Sequence, residues 1–457
     1  MRDVARSVAK KTLFEPHIQQ WMETSIAGGV ISPDESRDLS LAYRLFDWTV
    51  RNIQLDPEIE DIDIVGSEKE RERRDRDTLR HYYYPWENLL YGHGDWLERS
   101  RVFMLLGRQL GINIVMLVAE REDEPEQPWV TAVLLGDKLY LFDALLGIPL
   151  PGQGGAPFAH LEDYVSDPPL LDALNVDSQR YRIVKSDLTN LKASVDATPA
   201  ALSQRFKQIE TRLSGDNKVV LTTSPTPLAR QLRACQHIND VEIWLLPYRG
   251  YQFFQSLRNN PQGALPLLAK RQEEQQPFRT RGLLMRGRLL HLRGEYTGEY
   301  NDPGATKLYL DSRMSKKDLQ RFNVPMHLVP QESPLVANLP EDPVEAKMVF
   351  DKRLQQGRAM AMRAKDLATY WLGLVSFDSQ NPNRFRVAAD FFKLIVADEN
   401  SAWKQSAQYN LARAYEAMGI QSQDRMLIDE AIELLESDRT TPQRVGNLIR
   451  AQRLRTR

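Results

Sequence analysis

The stretch YGHGDWLERSRVFMLLGRQLGI, from Tyr91 to Ile112, decides how the N-terminal part of this chain is interpreted. A Gly-His-Gly-Asp turn leads into residues whose apolar side chains recur at the spacing of an amphipathic helix. The pattern ends at Gly111, and glycine is the residue type that most often follows a helix. The stretch therefore predicts a turn, a helix that begins near Trp96, and a strand after the glycine.

The flanking sequence extends this prediction in both directions. Residues 1 to about 55 read as helical, and Ser32-Pro33 supplies an N-cap and a first-turn proline. The charge run over residues 67–80 is nearly balanced in sign and predicts a solvated helix or loop. Downstream, Gly136-Asp137 predicts a hairpin turn between two strands. The runs that predict strands are Ile112–Ala119, Trp129–Leu135 and Lys138–Phe142.

Three spaced motifs of this region resemble those of transglutaminase-like domains, which are relatives of the papain-like thiol enzymes. In that family a reactive cysteine opens a helix that ends at a glycine, and here Trp96 stands fifteen residues before Gly111. A histidine then starts a His-Ala-Trp-Val motif, where this chain has Gln127-Pro128-Trp129-Val130. An aspartate follows the next strand, where this chain has Asp143 in LYLFD. The resemblance covers residues 40 to about 152 and implies an α+β transglutaminase-like fold.

The chemistry that the resemblance implies is missing from these positions. Trp96 has no nucleophilic atom, whereas the family requires a thiolate at the helix N-terminus. Gln127 cannot accept and return a proton near neutral pH, as the histidine does. Asp143 remains, and its family role is to orient that histidine. We therefore predict that the domain is not an enzyme.

The degenerate site is nevertheless rich in aromatic side chains. Either these rings fill the old cleft as core, or they form an apolar slot for a peptide. A rearranged hydrolase site with Ser100 as nucleophile and His93 as base is the enzymatic alternative. The candidate binding cleft comprises Tyr84, Trp86, Trp96, Trp129 and Asp143.

The middle of the chain alternates between strand and helix signals and predicts a small α/β subdomain over residues 179–260. Its single cysteine, Cys235, falls in a helical pattern and is expected to be a small buried residue. The predicted elements are a strand at Tyr181–Lys185, a helix over 187–213, a strand at Lys218–Thr223, a helix from Ser224 through Cys235, and a strand at Val241–Pro247.

From about residue 262 the signal is helical, and two pairs of segments repeat. YWLGLVSF at Tyr370–Phe377 matches YNLARAY at Tyr409–Tyr415, and Ala388-x-x-x-Phe392 matches Ala431-x-x-x-Leu435. Small residues such as Gly373 fall where two helices would approach closely. These segments resemble tetratricopeptide repeats, at a spacing longer than the usual 34 residues. An earlier hairpin is predicted from Gly282–Tyr296 with Ala305–Arg313. We expect an all-α array over 261–437, followed by a basic tail at 438–457 that forms a capping helix or a frayed end. Binding of the tail to an acidic partner is the alternative.

Composition limits the classes of function. A formal charge of −2 provides no field that would select nucleic acid, and no apolar run approaches the roughly 20 residues that span a bilayer. One cysteine excludes an intrachain disulfide and a multi-cysteine metal site, and we expect no metal or cofactor. The N-terminus lacks a secretion signal, so the sequence as written indicates a soluble cytoplasmic protein. It indicates an extracytoplasmic one if a signal peptide has been removed.

The first hypothesis is therefore a catalytically inactive transglutaminase-like domain over 1–178, fused to tetratricopeptide-like helices, that acts as a scaffold binding a protein or peptide partner. The rival hypotheses are the hydrolase with Ser100 and His93, and a structural component of an envelope assembly.

Overall fold

The structure of the chain is a computed structural model. It describes residues 1–56, 82–121, 126–176, 179–217, 223–280, 282–299, 301–313, 321–379, 381 and 383–456. The charge run at 67–80 and five of the six residues of the predicted strand Lys218–Thr223 lie outside these ranges.

The chain forms two compact units, and the first contains both ends of the chain. The first unit comprises Met1–Leu265 and Glu416–Arg457, and the second comprises Pro266–Tyr415. The helices are α1 Arg2–Ala9, α2 Pro16–Ala27, α3 Pro33–Asn52, α4 Pro85–Tyr91, α5 Trp96–Gln109, α6 Leu161–Ser166, α7 Pro169–Asp172, α8 Pro199–Leu202, α9 Gln204–Arg212, α10 Pro225–Ala234, α11 Leu246–Asn259, α12 Pro261–Thr280, α13 Gly282–Arg293, α14 Ala305–Ser312, α15 Pro343–Asp378, α16 Arg384–Val396, α17 Lys404–Ser422, α18 Arg425–Glu436 and α19 Arg444–Arg455. The strands are β1 Gln54–Leu55, β2 His93–Gly94, β3 Asn113–Ala119, β4 Gln127–Leu135, β5 Lys138–Asp143, β6 Ile148–Pro149, β7 Leu191–Val195 and β8 Asp240–Ile243.

The N-terminal helices form as the sequence predicts. Ser32 caps α3, because its side chain accepts from the backbone N–H of Glu35 while the Glu35 side chain accepts from the N–H of Ser32. This reciprocal capping box satisfies two backbone donors that a helix start leaves open. Leu39, Leu45 and Phe46 on one face of α3 are buried, so the helix packs along the core of the first unit.

A six-stranded sheet forms the centre of the first unit, in the order β6-β5-β4-β3-β7-β8. Strands β3, β4 and β5 form an antiparallel meander, and Gly136 turns the β4–β5 hairpin with a φ of 59°. The far side of β3 pairs antiparallel with β7, which itself pairs parallel with β8. The middle region thus contributes strands to the sheet of the N-terminal region.

The structure corrects three predictions for the middle region. Residues 191–195 form β7 and not part of a helix over 187–213, because they cover the edge of β3 and bury Leu191, Ala193 and Val195. Residues 181–184 form no strand, although Tyr181 and Ile183 are buried. The strand expected at Val241–Pro247 ends at Ile243, and α11 begins at Leu246.

In the second unit, the described residues form an all-helical arrangement. Helices α13 and α14 pack as a hairpin, and the 36-residue α15 packs against α16. Gly373 of α15 lies at a close approach, since a Cβ there would lie 2.4 Å from the ring of Phe392. The protein is therefore mixed α/β, with the sheet in the N-terminal half and helices in the C-terminal region.

The C-terminal segment belongs to the first unit. Helix α19 contributes Ile449 to the buried cluster of that unit, and Gly446 passes so close to Leu146 that a Cβ would lie 1.7 Å from its carbonyl oxygen. Arg450 donates to the buried carboxylates of Glu15 at 3.0 Å and Glu416 at 3.1 Å. The basic side chains at the end of the chain thus include a buried ionic contact. None of the described helices is long and apolar enough to cross a membrane.

Candidate functional site

The predicted site helix, α5, is anchored at its N-terminus by a crowded polar corner. Asp95 caps the helix and accepts from the N–H of Glu98 at 2.7 Å, while the Glu98 side chain accepts from the N–H of Asp95 at 3.1 Å. Gly94 is required here, because a Cβ would lie 2.3 Å from the amide nitrogen of Asn88. Trp96 is the first residue of this helix and is half-buried.

Glu98 is a buried carboxyl within this corner. It accepts from the N–H of Tyr83 at 2.7 Å and from the side-chain amide of Asn88 at 3.2 Å. Burial, and to a lesser extent the charge of Asp95, raises the pKa of Glu98 well above its usual range. The described hydrogen bonds to this carboxyl all come from neutral donors.

Asp143, at the end of β5, is fully buried and accepts four hydrogen bonds. Two come from side chains, the Tyr181 hydroxyl at 2.7 Å and an Arg182 nitrogen at 3.1 Å. Two come from the backbone N–H groups of Leu145 at 2.9 Å and Leu146 at 3.0 Å. A carboxylate offers about four lone-pair sites. The acceptor capacity of Asp143 is therefore filled by the protein itself.

Arg182 connects the aspartate to the tryptophan of the site helix. Its guanidinium lies 4.5 Å from the centre of the Trp96 ring and also donates to the backbone carbonyl of Trp129. Such a position over an indole ring is favourable for a cation. The structure thus brings Trp96 and Asp143 together through Arg182, which the sequence prediction did not include.

Trp129 belongs to the core behind this contact. Its indole N–H donates to the Tyr181 hydroxyl at 2.9 Å, and that hydroxyl donates in turn to Asp143. Burial, reinforced by the charge of Asp143, holds the pKa of Tyr181 well above its usual value, so the hydroxyl keeps its proton. Tyr181 was also outside the predicted site. Its only sequence signal is a tyrosine next to an arginine in a segment that resembles a strand.

Gln127, the predicted counterpart of the family histidine, does not take part in the hydrogen bonds described for Asp143. It is the first residue of that strand, pairs in register with Ala119, and is half-buried. None of the described hydrogen bonds of Asp143 involves Gln127. The side chain that pairs with the aspartate is Arg182.

Tyr84 and Trp86 form a separate surface. The Trp86 side chain is 56% exposed and stacks parallel to Tyr84, with 6.5 Å between ring centres. Tyr84 also stacks parallel to Phe254 of α11, with 5.2 Å between ring centres. The five residues predicted as one cleft therefore divide between a buried network and this exposed stack, which we call the aromatic stack, of Tyr84, Trp86 and Phe254.

The alternative pair, Ser100 and His93, is not assembled as a nucleophile and base. Ser100 is fully buried in α5, and its hydroxyl donates to the Trp96 carbonyl one turn earlier at 2.8 Å. His93 contacts the Asp56 carboxylate through Nδ1 at 3.0 Å, and the parallel pairing of β1 with β2 places His93 opposite Gln54, two residues before Asp56.

Cys235 is a core residue, as predicted. It belongs to the buried cluster of the first unit, and burial raises the pKa of its thiol. The described residues contain no group of three or more histidine, cysteine, aspartate or glutamate side chains placed to hold a metal ion.

The second unit contains an open groove of about 390 Å³, which lies within the usual size range of ligand pockets. Helices α13, α14 and α15 form most of its walls. Leu283, which is 46% exposed, lies on the wall formed by α13, and Ser312 is the last residue of α14 on another wall. The residues that line this helical groove are Gly282, Leu283, Asp311, Ser312, Phe322, Gly357, Met360 and Ala361.

Comparison with known proteins adds no further assignment: no protein-family model matches the chain, and no curated protein or solved structure matches it significantly.

Proposed function

We propose that this protein is a catalytically inactive, transglutaminase-like scaffold that binds a protein or peptide partner. The observation that carries the proposal is the state of Asp143. Its acceptor sites are filled by Arg182, Tyr181 and two backbone N–H groups, and Trp96 packs over the same guanidinium.

The residue types at this position support binding and not acyl transfer. A thiol enzyme needs a nucleophilic sulfur and a base that can exchange a proton. Here an indole stands at the helix start. A guanidinium, which stays protonated across the physiological pH range, pairs with the aspartate. A guanidinium in that position can fix Trp96 and Asp143 but cannot act as a general base.

Two exposed surfaces are suited to a partner. The aromatic stack presents an indole ring with more than half of its surface exposed, and aromatic side chains dominate the energy of many protein interfaces. The helical groove offers apolar walls within an arrangement of packed helices, a geometry that commonly binds peptides. We propose these two surfaces as the binding regions.

Selection of peptides from a random 12-residue display library on the purified full chain tests the proposal. We expect enriched peptides whose binding is weakened at least tenfold by Leu283→Asp in the groove or by Trp86→Ala in the aromatic stack. Leu289→Asp is the matched control, because Leu289 is 42% exposed on the same helix but does not line the groove. Enriched peptides that bind both surface variants as tightly as the wild type would contradict these binding regions.

A catalytic assay tests the inactive part of the proposal separately. We expect neither hydrolysis nor acyl transfer on glutamine-containing peptides or ester substrates. Activity that is lost on changing Trp96, Gln127 or Asp143 would refute it.

The contact between His93 and Asp56 favours a hydrolase as the second candidate function, since an imidazole held by a carboxylate is the arrangement of a general base. Labelling of the protein by a serine-directed activity probe, abolished by His93→Gln, would support it. The buried hydroxyl of Ser100 argues against that residue as the labelled nucleophile.

A further inference from the structure

Two arginines of helix α5, Arg101 and Arg108, contact the same buried carboxylate. Arg101 Nε donates to Oδ2 of Asp196 at 2.7 Å, and Arg108 Nη2 lies 3.5 Å from Oδ1 of the same group. Arg108 Nη2 also donates to the backbone carbonyl of Asp196. The two arginines are seven residues apart, about two helical turns, so they lie on the same side of α5. The cluster therefore holds two guanidiniums against one carboxylate, with one positive charge in excess.

The excess charge acts within the cluster itself. Burial lowers the pKa of Arg108, the charge of Asp196 opposes this effect, and the charge of Arg101 adds to it. Within the described residues, Asp196 and Arg101 are the charged groups that act on Arg108, and Asp196 is the ion-pair partner of Arg101. A second anion beside the two guanidiniums would offset their mutual repulsion.

Both guanidiniums retain donors that the protein does not use. In the hydrogen bonds of the described residues, Arg101 donates through Nε and Arg108 through Nη2. Their other nitrogens are not among the buried unpaired polar atoms of those residues, and the two side chains are 17% and 13% exposed. The remaining N–H groups of each planar guanidinium are therefore accessible to a small acceptor.

The cluster lies at the carboxyl end of two parallel strands. Asp196 directly follows β7, whose parallel neighbour β8 ends at Ile243. The half-buried Tyr248 of α11 lies at the same end, since its hydroxyl donates to the carbonyl of Ala197 at 3.4 Å. The carboxyl ends of parallel strands are a common location of ligand sites in α/β proteins.

We propose that Arg101 and Arg108 form a binding site for the phosphate group of a small ligand. The two guanidiniums present donors from two positions along α5, and a tetrahedral phosphate has enough oxygens to accept from both at once. A carboxylate has two oxygens in one plane and matches a single guanidinium fork. Asp196 holds the two arginines together, and the excess positive charge attracts the ligand.

Isothermal titration calorimetry of the full chain with inorganic phosphate, at constant ionic strength, tests the site. We expect a Kd between about 0.1 and 5 mM, weakened at least tenfold by Arg101→Gln or by Arg108→Gln. Arg233→Gln is the matched control, because Arg233 is an exposed arginine on α10 of the same unit, and it should change the Kd less than twofold. No binding up to about 50 mM phosphate, or equal weakening by the control, would overturn the proposal.

Asp196→Asn has an expected effect of the opposite sign. The change keeps the size of the side chain and removes the negative charge that competes with the ligand, so we expect phosphate to bind about fivefold more tightly. A carboxylate that only anchors the two arginines predicts no such gain. A Kd for Asp196→Asn that is equal to or weaker than that of the wild type would contradict the site.

Thermal unfolding separates ligand binding from a structural role of Arg101. Phosphate stabilises proteins in general by exclusion from their surface, so the quantity of interest is the difference between the wild type and Arg101→Gln. We expect about 20 mM phosphate to raise the Tm of the first unit at least about 2 °C more in the wild type than in the variant. An equal rise in both proteins would mean that Arg101 serves only the fold.

Three further probes identify the source of the phosphate group. We expect phenyl phosphate to bind within about tenfold of inorganic phosphate and acetate to bind at least tenfold more weakly. Binding to vesicles with about 30% phosphatidic acid that depends on Arg101, without binding of either free phosphate, would overturn a small-ligand site. None of these measurements involves the helical groove or the aromatic stack, so this inference and the proposed function fail independently.

Discussion

Two arginines of this protein lie over tryptophan rings, one in each compact unit, and their surroundings differ. Arg182 lies 4.5 Å from the ring centre of Trp96, with 16% of its side chain exposed and a carboxylate at 3.1 Å. Arg288 lies 4.7 Å from the ring centre of Trp371 and is fully buried among the helices of the second unit.

The difference separates a partly exposed side chain at the rim of a polar network from one that is part of a core. Arg288 contacts His291 at 3.3 Å, and Tyr309 contacts the same imidazole nitrogen at 3.2 Å. Burial lowers the pKa of Arg288. Because Arg288 has no access to water, loss of its guanidinium cannot be offset by solvation. Arg182 is partly exposed, so water can replace part of what it contributes.

The largest expected effect is therefore that of Arg288→Ala. Removal of the guanidinium leaves His291, Tyr309 and the Trp371 ring facing a cavity, and we expect the free energy of unfolding to fall by about 4 kcal/mol. Urea unfolding, fitted with one transition for each unit, measures the loss. Arg286→Ala is the matched control, since Arg286 is 54% exposed on the same helix and should change stability by less than about 0.5 kcal/mol. Equal effects would remove the distinction between the two arginines.

Asp143→Ala should have the next largest effect. The change removes the acceptor of Arg182, Tyr181 and two backbone N–H groups, and we expect a loss of about 3 kcal/mol in the unfolding of the first unit. Asp143→Asn keeps one acceptor oxygen and should cost less. Asp137→Ala, in the exposed hairpin turn, is the control and should be nearly neutral. If Asp143→Ala were as mild as the control, the aspartate would not hold this hydrogen-bond network together.

Local structure in both units could be predicted because its causes are local. The capping box at Ser32, the hairpin turn at Gly136 and the helix after Trp96 depend on neighbours within four residues. The close approach at Gly373 is likewise marked by a small residue at the contact. In each case the residue type alone restricts the backbone or the space around it.

The features of the fold and of the candidate site that could not be predicted depend on partners far apart in the sequence. Residues 191–195 read as helix until β3 offers an edge more than 70 residues earlier, and then pairing overrides local preference. Arg182 reaches Asp143 across 39 residues, so no local pattern marks it as part of the site. The basic C-terminal sequence gave no sign that Arg450 pairs with Glu15, which lies 435 residues earlier.

A double-mutant cycle measures the contact between Arg182 and the Trp96 ring and so tests the comparison of the two arginines. We expect Arg182→Ala to cost about 1–2 kcal/mol, and the coupling between Arg182→Ala and Trp96→Ala to be about 0.5–1 kcal/mol from the contact of cation and ring. Urea unfolding of the two single variants and the double variant measures the coupling. A parallel cycle with the exposed Arg180 in place of Arg182 should show none. Strict additivity in the Arg182 cycle would mean that the indole does not hold the guanidinium.

The smallest expected effect concerns Glu98, the buried carboxyl on the same helix as Trp96. The described hydrogen-bond donors to Glu98 are neutral, whereas Asp143 accepts from a guanidinium. Burial raises the pKa of Glu98 in the folded state above the 4.5 of an unperturbed glutamate. The folded state therefore binds this proton more tightly than the unfolded state. The resulting stabilisation is fully present below pH 4.5 and is lost as the pH rises through the folded pKa. We expect the free energy of unfolding of the wild type, relative to Glu98→Gln, to fall between pH 4.5 and neutrality. Urea titrations at several pH values measure this difference, with Glu23→Gln on the exposed face of α2 as the control. A difference between the wild type and Glu98→Gln that does not vary with pH would show that Glu98 keeps its charge in the folded protein. The neutral donors of the α5 corner would then suffice to stabilise a buried carboxylate.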